Sequence, residues 1–190
     1  VIMKLNLNQI KEITNGAVQI EDENGLISLK RFTKEQEELY KVTNEGFFDK
    51  TFSTAGIKFL FKTDSESLLL KIKTSVSSSR KYFSVDVFVD GKPIGYIDNF
   101  SDTNLPKRYN MDVSLGDFSK AFQLGKGEKT VCIHFPWSVK TLIEEISVDD
   151  NAFIEGIKPK KKLIAFGDSI TYGADAFRPS NRYIAKLSDM

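Results

Sequence analysis

The stretch AFGDSITYG, Ala165 to Gly173, holds the residues best suited to chemistry. Ser169 follows Asp168 directly, between Gly167 and Gly173. A serine just past the end of a strand, opening a helix, lies at the rim of an α/β sheet, where ligand sites form. Its backbone N–H and those after it are unpaired at the helix start and suit a developing oxyanion. The two glycines permit a tight turn and close approach of a substrate. The chemistry that fits is attack by a hydroxyl on an acyl carbon. An ordinary helix-capping serine is the competing reading, and the full Gly-Asp-Ser-Ile-Thr-x-Gly string favours the catalytic one. Such a hydroxyl needs an adjacent base. The single histidine, His134 in VCIHFPW, precedes the string and is read as structural. Cys132 is read as a small buried apolar residue. With no second thiol and no histidine cluster, no metal site is expected, and attack by a serine hydroxyl needs no cofactor.

The elements that must position Ser169 fall into two groups. Leu163 to Phe166 is a compact apolar run without alternation, as in a strand buried on both faces. SNRYIAKLSDM reads as a helix, with Tyr183, Ile184 and Leu187 on one side and Ser180 as its cap. Together they make the first strand-loop-helix step of an α/β domain. Upstream, the grammar is that of antiparallel strands. Ile57, Phe59 and Phe61 alternate, as do Leu68, Leu70 and Ile72. Phe83, Val85, Val87 and Val89 lead into an Asp90-Gly91 hairpin turn. KRYNMDVSL, EKTVCIHFPW and KTLIEEISVDD are further strand candidates, and Asn15-Gly16 and Asn24-Gly25 are turn signals. TKEQEELYKV predicts a short helix with Thr33 and Gln36 as a capping box and Leu39 and Val42 facing inward. Phe47, Phe48, Phe59, Phe61, Phe83 and Phe88 are assigned to core and inter-sheet packing. The expected fold is an antiparallel β-sandwich, jelly-roll-like, over 1–156. A linker over 157–162 and an incomplete α/β unit over 163–190 follow it.

Composition excludes several partners. The chain has 190 residues and a net charge of +1, so no bulk attraction to nucleic acid or anionic membrane is implied. KPKKK is read as a solvated linker. No apolar run reaches the roughly 20 residues of a membrane span. The acids of EEISVDD are read as a solvent-facing strand end rather than a calcium site. Trp137 and the tyrosines suit either a sugar-stacking platform or packing. With no leader in sight the chain is read as cytoplasmic, or secreted if a signal peptide has been removed.

The GDSIT block resembles the first signature of the GDSL, or SGNH, hydrolases. The resemblance implies that Ser169 is the nucleophile of ester hydrolysis and that its amide is one oxyanion donor. Asp168 then shapes the turn and is not the triad acid. YGADAFRPSNRYIAKLSDM is similar to the loop and first helix of bacterial two-domain members. RFTKEQEELY, TAGIKFLFKTDSESLLL and FSVDVFVDGKPIG are similar to their N-terminal module. These members resemble carbohydrate esterases of family 2, which remove acetyl groups from polysaccharides. The family's remaining oxyanion residues and its late histidine would lie beyond Met190. The expectation is a parent esterase acting on a small acyl ester or acetylated carbohydrate, with this chain inactive alone. Its tail is expected to pack on the sandwich or on a second copy. The alternative is a non-catalytic carbohydrate-binding or scaffolding module.

Overall fold

The computed structural model describes residues 2–101, 113–161, 163 and 165–188. Its strands are β1 (Ile2–Lys4), β2 (Thr14–Asn15), β3 (Gln19–Glu23), β4 (Leu26–Lys30), β5 (Lys58–Thr63) and β6 (Ser67–Val76). β7 (Ser84–Val89), β8 (Lys92–Asp98), β9 (Asp117–Gln123), β10 (Lys129–His134), β11 (Val139–Asp149) and β12 (Glu155–Gly156) complete them. The helices are α1 (Leu7–Ile13), α2 (Lys34–Thr43), α3 (Glu45–Thr51), α4 (Ser169–Tyr172) and α5 (Tyr183–Ser188).

The strands form an antiparallel β-sandwich. One sheet runs β3-β4-β11-β6-β9, with β1 also on β11; the other runs β12-β5-β10-β7-β8, with β2 also on β5. The alternation legible in the sequence decides which face turns inward. Leu68, Leu70 and Ile72 of the first sheet meet Phe59, Phe61, Val85, Val87, Val131 and Ile133 of the second, all fully buried. Each such side chain contributes roughly 1.5–3 kcal/mol through burial. Asp90 and Gly91 both take positive φ, 48° and 75°, as the two-residue β7–β8 turn requires. Asn24 and Gly25 do the same for β3–β4.

α2 starts at the expected cap. The Thr33 hydroxyl accepts from the Gln36 amide, and the Gln36 side chain accepts from the Thr33 amide. Its phase differs from the expectation, for Leu39 and Val42 are 62% and 79% exposed. Glu37 turns inward instead, 3.7 Å from the Lys30 ammonium, and Tyr40 lies edge-on to Phe32. Two aliphatic residues are too few to set the rotation against these contacts. Phe47 is likewise exposed rather than core, with the Lys50 ammonium over its ring. Phe48 packs edge-on against Phe52, and Phe88 is half-buried against His134. The KRYNMDVSL candidate lies largely outside the described residues, and its last three residues are not in a strand. No helix among the described residues is long and apolar enough to cross a membrane.

The run before Ser169 also departs from expectation. Leu163, Ala165 and Phe166 lie in no strand, and Phe166 is 92% exposed. An apolar strand needs a neighbour to complete its hydrogen bonds. Among the described residues, none of the strand pairings of either sheet includes Leu163, Ala165 or Phe166.

Candidate active site

Ser169 is exposed at the first position of α4. The Asp168 carboxylate accepts from the Ile170 amide at 2.9 Å and so caps the turn. Gly173 ends it in the left-handed region, φ 80°, where its amide donates to the Ile170 carbonyl. A Cβ on Gly167 would press on the Thr171 side chain, which packs against the backbone there.

The residues after Ser169 are fastened to the sandwich one by one. The Tyr172 hydroxyl donates to the Trp137 carbonyl at 2.7 Å and lies 2.6 Å from Ser53 Oγ. Trp137 Nε1 donates to the Ala176 carbonyl at 2.7 Å. Asp175, at φ 66°, accepts from Arg80 Nε at 2.6 Å and from the Tyr82 hydroxyl at 2.8 Å. The Arg80 hydrogen bond holds the Asp175 carboxyl below the usual range, and burial is the main cause that pushes the Tyr82 phenol up. Arg178 lies 3.5 Å over the Tyr96 ring, donates to Ser84 Oγ and pairs with Asp98 at 3.3 Å. Asp86, fully buried on β7, accepts from the Ser180 amide and hydroxyl.

His134 and Cys132 share one face of β10. The histidine is buried, with Nε2 3.4 Å from Cys132 Sγ, and the cysteine is only half-buried. Two residues apart on a strand, they point the same way. The structure thus takes His134 into the strand surface and leaves Ser169 in solvent. Trp137 is 4% exposed among Ala55, Tyr82 and Phe100, which leaves no open face for stacking. Ser180 does not cap α5; its hydroxyl is used by Asp86 across a Pro179–Asn181 turn. Of the EEISVDD acids, Glu145 pairs with Lys71 at 2.7 Å. Asp149 accepts from the amides of Glu66 and Ser67 and organises the β5–β6 turn. Sequence reasoning missed Asp86, Asp175, Arg178 and the role of Tyr172. The one trace of Asp86 was its phase, with Ser84 and Phe88, on the outward face of a strand.

No protein-family model matches this chain, and no curated protein matches it. Solved structures do. A salicylyl-acyltransferase from a tetracycline biosynthetic pathway superposes with TM-score 0.70 at 23% identity, over 90% of this chain and 46% of its own. A GDSL-like lipase from Bacteroides ovatus gives 0.66 at 22%, over 99% and 53%. A family two carbohydrate esterase from Cellvibrio japonicus gives 0.51 at 12%, over 91% and 41%. What is shared is the fold. The chain spans about half the length of the first two structures. The fold is thus one found in a GDSL-like lipase, an acyltransferase and a carbohydrate esterase.

Proposed function

We propose that Ser169 is the nucleophile of an SGNH-type esterase and that this chain is the N-terminal part of that enzyme. The observation that carries the reading is the state of Ser169 itself. It is exposed at the start of a capped single turn, while the loop behind it is pinned residue by residue. The Ser169 hydroxyl attacks the ester carbonyl, and the resulting oxyanion accepts from the Ser169 amide. A histidine from a longer chain takes the hydroxyl proton and passes it to the leaving alcohol. Water then frees the acid and restores the serine. No cofactor enters these steps. The substrate class is a small acyl ester, an acetyl group on carbohydrate, in keeping with the GDSIT resemblance and the shared fold.

The test is hydrolysis of p-nitrophenyl acetate. This chain and its Ser169→Ala variant are expected to give equal, near-background rates. A chain extended through the following reading frame is expected to hydrolyse the ester and to lose 10³-fold or more on Ser169→Ala, an order-of-magnitude expectation for losing a nucleophile. Equal rates for the extended pair would overturn the proposal.

A further inference from the structure

We propose that Tyr172 is a positioning residue, through which the sandwich fixes the turn that carries Ser169. The inference rests on the reading of Ser169 given above. Tyr172 closes the same turn that Ser169 opens, and its amide donates to the Asp168 carbonyl at 3.0 Å. Little backbone freedom remains between the exposed serine and its anchor.

The Tyr172 side chain leaves the turn for the sandwich. Its hydroxyl donates to the Trp137 carbonyl, so Ser53 Oγ donates to the phenol oxygen, and Arg31 Nη2 donates to Ser53 Oγ at 3.0 Å. Donors aligned in this way reinforce one another. The Tyr172 ring meets Trp137 edge-on at 5.8 Å. The guanidinium carbons of Arg31 and Arg182 lie 5.6 and 5.7 Å from its centroid. Arg182 is 9% exposed, and its Nε has no hydrogen-bond partner among the described residues. The Tyr172 ring therefore stands in for a partner to a buried cation. Arg182 also closes on the backbone behind Tyr172, for a Cβ on Gly173 would lie 2.5 Å from Arg182 Nε. The turn is gripped from the sandwich and from behind while its first residue stays in solvent. A misplacement of about 1 Å at a reacting atom costs up to about 100-fold in rate.

A nitroxide placed through Ser169→Cys, in a Cys132→Ala background, reads this directly in the present chain. The label is expected to show the restricted motion of an exposed site on an ordered turn, and Tyr172→Phe and Tyr172→Ala are expected to make it more mobile in increasing order. In the extended chain, Tyr172→Phe is expected to lower kcat roughly 10-fold with KM unchanged. An unchanged label in both variants, with native far-UV circular dichroism, would overturn the proposal. If Tyr172→Ala fails to fold, Tyr172→Phe decides, since it keeps the ring. The two readings fail separately. Activity that survives Ser169→Ala sinks the esterase, whereas a label indifferent to Tyr172 sinks the clamp.

Discussion

Asp175 joins the loop to the sandwich by charge, and it does so from a left-handed backbone. Its carboxyl is held below the ordinary range, foremost by the Arg80 hydrogen bond. A carboxylate whose folded pKa is depressed stabilises above its unfolded pKa and loses that contribution as pH falls through the folded value. The loop should therefore stay docked at neutral pH and loosen only below the usual aspartate range. The only tryptophan, Trp137, donates to Ala176 next door and reports this. Its emission is expected to shift to the red in that acid window. Asn tolerates positive φ, so Asp175→Asn isolates the charge. It is expected to weaken docking by about 1 kcal/mol at pH 7 and to shrink the acid step. Ser169 and Asp168 were legible as a string because their neighbours in sequence are their neighbours in space. Asp86 was not. In a strand that alternates, an outward aspartate reads as solvated, and the distant Ser180 and Arg178 that lie against it are not visible in the strand's own pattern.

Among the elements, hairpins were the most legible, because a two-residue turn demands particular backbone angles and few residues supply them. The β7–β8 turn is the case in point. An alanine at Gly91 meets open space, so the penalty is conformational alone. Gly91→Ala is expected to lower stability by about 1 kcal/mol, read from the urea midpoint at unchanged slope. The α2 cap was equally local and equally legible. The rotation of α2 was not, because it follows from Lys30 and Phe32 on a preceding strand and loop rather than from its own pattern. The apolar run Leu163–Phe166 has the composition of a strand, and its described residues Leu163, Ala165 and Phe166 lie in none. Composition gives a segment its preference, and a ladder needs a second segment.

The molecule as a whole is two sheets around one core, and three alternating strands with further strand candidates were enough to anticipate that. Strand order was out of reach, since β11 lies between β4 and β6 for reasons spread over the whole chain. The docking of the loop after Ser169 was out of reach for the same reason: each of its contacts joins residues far apart in sequence. Docked loop and sandwich are joined covalently by a stretch of quite different character. Lys160 and Lys161 are exposed and outside any helix or strand, whereas Tyr172, Asp175, Ala176, Arg178 and Ser180 are each bonded to the sandwich. Trypsin is expected to cut at these two lysines first. The two pieces should co-elute on gel filtration in native buffer and separate in urea; separation in native buffer would mean that the contacts alone do not hold them. The connector raises the tail's effective concentration and the contacts supply its affinity. A nick there turns an intramolecular fold into a bimolecular complex, with a Kd to measure and a peptide that can be exchanged for another.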